Sequence, residues 1–364
     1  MNFIFDYSRR RNALKERLLS LRLDGMLLAS APNVHYLSGF TGEASALLVS
    51  PAGELILTDF RYLEQARKEC TPLRVEERKV TLVSAAIKEA RRLGLKRIGF
   101  EAKHVSQDVY TRLLKEARGA QLVPADDEVE KMRMVKEEGE ITLIREAIRV
   151  AEESLLSVKR RLRPGVREKD FANLLEFEMK KRGAQCASFP IIAAFGERSS
   201  LPHAPATERA LKGHDSVIID WGSRVSCYNC DLTRTGLSHR MPREVRKVYE
   251  VVYTASRRAL EAVRAGRELR YVDRAARSYI ESKGYGRYFG HGLGHGVGLE
   301  VHEAPAVNRK AGGKLLSGMV LTVEPGIYLA GKFGVRIEEM VRVTQDGCEM
   351  LTTLDARADK WFWT

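Results

Sequence analysis

Residues 216–236 read SVIIDWGSRVSCYNCDLTRTG. An apolar run ends on Asp220, a polar middle follows, and a second run opens on Asp231. The pattern predicts a β-hairpin, with Ser216 to Trp221 paired to Tyr228 to Thr235 around a loop near Val225-Ser226. Pairing centred there sets Asp220 directly opposite Asp231, with Cβ atoms roughly 5 Å apart on one face. Two bare carboxylates that close repel, and one would have to take up a proton. A divalent cation held by both removes the conflict.

Three more ligand types follow in the same half of the chain. His295 lies in GHGLGHGVGLEVHE (290–303), Glu324 in VEPGIY (323–328) and Glu338 in GVRIEE (334–339). Gathered in one pocket, four carboxylates balance the charge of two divalent cations, and such pairs sit roughly 3.5–4 Å apart in hydrolytic sites. Three of the eight histidines fall between positions 291 and 302 (His291, His295, His302), which alone does not decide which of them ligates. The glycines around them suit close approach of backbone to a ligand. Arg336, two residues before Glu338, is expected on the same strand face, where it would orient or neutralise a ligating carboxylate.

A chain of 364 residues exceeds one ordinary domain and suits two. The first part alternates helix and strand: helices at 8–21, 61–69, 82–93 and 105–118, and strands at 26–28, 46–49, 54–58 and 96–100. That alternation implies a sheet with helices on its faces. Apolar residues thin out at Pro124-Ala125-Asp126-Asp127, so the domains are read as 1–125 and 126–364. In the second, helices are expected at 136–161, 171–182 and 242–265, with short strands at 217–219, 319–323 and 341–344. The fold class is α+β, with the chemistry on the strands.

The net charge of +13 raises nucleic acid as a partner, but Lys and Arg are interleaved with Glu along the helices and no aromatic-basic RNA motif occurs. A solvated basic surface is the simpler reading. No window resembles a membrane span, and the charged N-terminus is the reverse of a secretory signal, so a cytoplasmic protein is expected. Five scattered cysteines do not form a disulfide framework. Cys227-x-x-Cys230 has no second pair to complete a zinc site, and reads as two strand cysteines open to thiol reagents.

In order and spacing these segments resemble the pita-bread metallopeptidases, and within them the proline-specific branch of Xaa-Pro aminopeptidases and Xaa-Pro dipeptidases (prolidases). Asn33 to Phe40 (NVHYLSGF) and Thr58 to Ala66 (TDFRYLEQA) resemble the creatinase-type N-terminal domain that precedes the pita-bread catalytic domain in that branch. The resemblance implies that Asp220 chelates one metal, that Asp231 and Glu338 bridge two, and that His295 and Glu324 complete the other. It implies substrate-side roles for His203 and His302, and a catalytic proton shuttle at Glu324. Pocket positions follow for His291 and Tyr328, and a supporting one for Arg336. The implied cofactors are two divalent ions (Mn, Co or Zn), the substrates proline-containing peptides, and the assembly a homodimer packed through N-terminal domains. An N-terminal Xaa-Pro aminopeptidase is preferred, with the dipeptidase as alternative and a non-enzymatic pita-bread binding protein as a distant one. One departure is visible: the family usually has glycine before the tyrosine that precedes the second aspartate, and here Cys227 stands there.

Overall fold

Gly25–Leu28, Ser45–Ser50 and the inner part of Gly53–Thr58 are buried residue after residue, as strands of a covered sheet must be. The computed structural model describes residues 5–238 and 241–357 and the backbone of Phe362–Trp363. It forms two compact units, Met1–Arg133 and Met134–Thr364.

In the first unit six strands run in the order Arg74–Glu77, Gly53–Thr58, Ser45–Ser50, Gly25–Leu28, Arg97–Phe100, Gln121–Pro124. The two pairings made by Ser45–Ser50 are antiparallel and the other three are parallel. Leu27, Leu48, Leu55, Ile98 and Phe100 of the sheet pack with Ile87 and Ala90 of helix Leu82–Arg92 and Leu113 of helix Gln107–Ala117. Helix Glu128–Arg133 lies beyond the boundary expected at 125/126 and belongs to this unit. Arg17 pairs with Glu128 at 2.7 Å, and Arg133 donates to Asn33 Oδ1 at 2.8 Å. Helix Ala31–Ser38 was not expected; Pro32 opens it and Gly39, at φ +79°, closes it.

The second unit repeats one order twice: two helices, then strands. Helices Glu138–Val158 and Glu168–Lys181 precede the hairpin strands, and Arg243–Ala262 and Leu269–Ser282 precede a five-stranded sheet. The long helix keeps its expected stripe, with Leu143, Ala147, Val150, Ala151 and Leu155 buried, and opens on a capping box between Glu137 and Glu140. Leu269–Ser282 is an addition to the expected set, although Leu269, Val272, Ala276 and Ile280 carry a helical period and are all buried.

The hairpin forms with its turn centre one residue later than expected, which shifts the pairing by two residues. Val225 pairs with Tyr228 and Asp220 with Thr233, so the turn is Ser226-Cys227. Both turn residues have positive φ, +47° and +71°, as two-residue loops matched to strand twist require. Cys227 thus occupies a left-handed position that favours glycine, which is the physical sense of the departure noted above. Asp231 is not opposite Asp220; it lies two residues from Thr233, diagonal to Asp220 on the same face. Three bonds seat the hairpin on the long helix: Trp221 Nε1 donates to Ala151 O at 2.9 Å, Ser223 Oγ to Ala147 O at 2.7 Å, and Tyr228 Oη to Glu140 Oε1 at 2.9 Å.

Candidate metal centre

The hairpin brings two carboxylates, and the five-stranded sheet brings the rest. Strand Gly294–Gly296 crowds its neighbours: a Cβ on Gly294 would stand 2.1 Å from Thr322 O, and one on Gly296 2.3 Å from Ala304 O. Gly294 and Gly296 therefore admit adjacent strands, and Gly292 and Gly294 also line the cavity beside the ligand cluster. The close packing lets Thr322 Oγ1 accept from His295 N at 3.1 Å and donate to Glu324 Oε1 at 3.3 Å, aligning imidazole and carboxylate. His295 Nδ1 is engaged with Gly296 O at 3.0 Å. Its Nε2 faces Glu324 Oε1 at 3.3 Å and Asp231 Oδ2 at 3.6 Å.

Glu338 arrives differently. The chain leaves strand Phe333–Arg336 and resumes as Glu339–Val343, so Glu338 lies in the break and not on one continuous strand with Arg336, although both side chains reach Thr233 Oγ1. Arg336 turns to Asp220 instead, with Nη2 2.6 Å from Oδ2. Its Nη1 donates to Tyr328 Oη at 2.8 Å and Pro202 O at 3.2 Å, and its Nε to Thr233 Oγ1 at 3.0 Å.

All five expected ligands meet. Ligand atoms of Asp220, Asp231 and Glu338 lie within 4.8 Å of one another, as do those of His295, Glu324 and Glu338. A third such set joins Asp231, His295 and His302, which places His302 within ligand reach as well. These groups cannot all be ionised together. Burial, then the charge of Asp220, pushes the Asp231 carboxyl well above the usual range. Burial, then Asp231 and Glu324, does the same to Glu338. Burial also raises Asp220, against the pull of Arg336. Glu324 is held low although burial opposes it, because His295 bonds to it; His295 in turn stands at about 9, burial being outweighed by Glu324 and Asp231. Asp220 Oδ1, Asp231 Oδ1 and Glu338 Oε1 are buried without a hydrogen-bond partner among the described residues. Orphaned anionic oxygens in a ring of mutually raised acids fit divalent cations, whose charge satisfies both deficits.

The cluster opens on a cavity of about 460 Å³. Phe189, Pro190, Ile192, Pro202 and Pro205 form apolar wall, and His203, His291 and His302 face the same space. His291 Nε2 is 3.1 Å from Tyr328 Oη. His291 Nδ1 faces the Gly292 carbonyl at 2.7 Å and so carries the ring proton, leaving Nε2 to accept from the Tyr328 hydroxyl; burial pushes Tyr328 up to about 12 and His291 down. His203 rides on a loop whose feet are tied by Glu168, which accepts from Phe195 N and Thr207 N, each at 2.9 Å. Thr233, Thr322, Glu168 and the Phe189-Pro190 wall escaped the sequence reading. For the two threonines a signal existed, since each stands two residues from a ligand in an extended stretch.

Residues 142–345 match metallopeptidase family M24, and residues 10–135 match the creatinase/prolidase N-terminal domain. An uncharacterized peptidase of Bacillus subtilis is 37% identical over 332 residues, 91% of this chain and 94% of that protein. The solved Xaa-Pro dipeptidase from Bacillus anthracis superposes with a TM-score of 0.93 at 36% identity, covering 97% of this chain and 99% of that one. The X-Pro aminopeptidase from Thermotoga maritima gives 0.87 at 39% identity, covering 95% and 99%.

Proposed function

The chain belongs to metallopeptidase family M24, with a creatinase-type N-terminal domain ahead of its pita-bread domain, and from that premise we propose that it removes an N-terminal residue preceding proline. The observation that carries the reading is the convergence of five ligands beside an apolar cavity. Two of the ligand sets share Glu338 and together contain Asp220, Asp231, His295, Glu324 and Glu338, which supports two ions. Oxygen-rich ligation with one imidazole suits Mn²⁺, Co²⁺ or Zn²⁺. Bound there, such ions supply Lewis acidity and lower the pKa of water enough to give a nucleophile at neutral pH.

The residues do the rest. His203 and His302 are exposed on the cavity and can hydrogen-bond the scissile carbonyl as its oxygen gains charge. Glu324, kept ionised by His295, can carry a proton to the departing proline nitrogen. That nitrogen has no N–H in the substrate, so recognition falls to shape, and the proline- and phenylalanine-lined wall offers it.

Arg336 is the sole Lys or Arg among the described residues lining the cavity, and Nε, Nη1 and Nη2 all donate within the protein. Among the described residues lining the cavity no Lys or Arg is therefore dedicated to gripping a free α-carboxylate, which favours an aminopeptidase over a dipeptidase. Comparing Gly-Pro with Gly-Pro-Ala after metal loading tests this: faster cleavage of the tripeptide is expected, and cleavage of Gly-Pro alone would assign a prolidase. Turnover of Met-Ala in preference to Ala-Pro would overturn proline specificity. A cytoplasmic homodimer packed through N-terminal domains completes the proposal on family membership; a monomer in sedimentation would remove that part. No described helix is long and apolar enough to cross a membrane.

A further inference from the structure

Each oxygen of a carboxylate can face an ion or a protein donor, and the torsion that exchanges them is broad and two-fold. Something must therefore fix Glu338, which stands in the break between two strands. Thr233 holds it twice. The Thr233 carbonyl accepts from Glu338 N at 3.1 Å, and Thr233 Oγ1 is 2.8 Å from Glu338 Oε2. The direction of the second bond follows from a third. Arg336 Nε, which can only donate, approaches Thr233 Oγ1 at 3.0 Å, so the hydroxyl accepts there and its single proton is free for a carboxylate. Asp220 lies directly opposite in the ladder and its carboxyl, raised by burial, is also lowered by the Thr233 hydroxyl, but the 2.8 Å contact is the one to Glu338 Oε2. Thr233 is fully buried, so water does not compete.

We propose that Thr233 is a positioning residue that anchors Oε2 of Glu338 and so presents Oε1, the oxygen without a protein partner, to the metal centre. This rests on the metallopeptidase reading and deepens it. The residue between the two ligand-bearing segments couples Arg336, already bound to Asp220, to the shared carboxylate. The geometry of the hairpin and that of Glu338 are thereby set by one side chain.

The test is metal titration of the full-length protein, followed by calorimetry with Mn²⁺ and by the visible spectrum with Co²⁺. Thr233→Val keeps the shape and deletes the proton; Thr233→Ser keeps the proton. T233V is expected to bind metal about 10- to 100-fold more weakly, and T233S within a few-fold of wild type. Thermal midpoints of the metal-free proteins separate this from a scaffold role, which would lower the midpoint and leave affinity unchanged. T233V binding as tightly as wild type, or T233S binding as weakly as T233V, overturns the proposal. If T233V does not fold, Thr233→Ala is titrated in its place under the same expectation. Wild type that binds no divalent ion would instead overturn the metallopeptidase reading itself, a distinguishable result.

Discussion

Arg336 and Asp220 form a buried ion pair, with Nη2 2.6 Å from Oδ2 and the arginine side chain 4% exposed. The pair consumes one oxygen of Asp220 and leaves Oδ1 for an ion. Removing one partner of such a pair strands a charge away from water, at a cost of about 3–5 kcal/mol. Arg336→Met is expected to lower stability by that order in urea with EDTA present, so that lost metal does not contribute. Arg336→Lys retains the charge but cannot serve Asp220, Thr233 and Tyr328 with one fork, so activity should fall even where the fold survives. Equal activity of R336K and wild type would show that charge alone is needed.

Metal removal should make stability depend on pH in a particular direction. Asp231 and Glu338 stand well above the usual carboxylate range, burial first and neighbouring acids second. The folded chain then binds more protons than the unfolded one. Stability from these groups is complete below the ordinary carboxylate pKa and is lost as pH rises towards their folded values. His295, raised to about 9, adds to this trend and the lowered His291 and His302 oppose it; with the acid cluster dominant, the metal-free protein should melt higher at about pH 5.5 than at pH 7.5, and saturating Mn²⁺ should reverse that order. Thermal melts across this range check it; a metal-free midpoint that rises with pH counts against a repelling cluster.

The identities of the ligands were legible because each sits where glycine, proline or alternation gives the chain away, and family order tied them together. Their contacts were less so. A hairpin centre shifted by one residue moves Asp220 from Asp231 to Thr233, and only the conformations of Ser226 and Cys227 decide it. Arg336 and Glu338 looked like one strand face because nothing local at Ile337 announces a break; that break is held from outside, by Thr233 and by Arg234, which donates to the Glu338 carbonyl. Helix Leu269–Ser282 has a clear apolar period, but Arg, Asp and Glu set between its apolar residues mask it.

Arg277 should matter to catalysis although it touches no ligand. Paired with Asp273 at 2.6 Å, it donates to Phe289 O at 2.9 Å and His291 O at 2.7 Å, and stacks 4.0 Å from the Phe289 ring. Those bonds fix the backbone from which His291 enters the cavity, and small misplacements there are costly. Arg277→Lys keeps charge without the planar fork, and kcat/KM on an Xaa-Pro peptide should drop on the order of tenfold or more. A variant with wild-type kcat/KM would confine Arg277 to stability.

Cys230 should resist thiol reagents, contrary to the simplest reading of Cys227-x-x-Cys230. Its Sγ is fully buried and accepts from Ser223 N at 3.2 Å, and burial pushes the thiol up to about 12. The thiolate is the reacting species, so a rise from 9.0 to about 12 cuts its population at pH 8 roughly a thousandfold before access is considered. Both sulfurs are free, and Cys227 is fixed in the turn by its own N–H, which donates to Gln185 Oε1 at 2.8 Å. Iodoacetamide labelling of the native protein at pH 8, read by peptide mass spectrometry, should leave Cys230 unmodified until denaturant is added. Prompt native labelling at Cys230 would mean that the hairpin opens, and with it the support under Asp231.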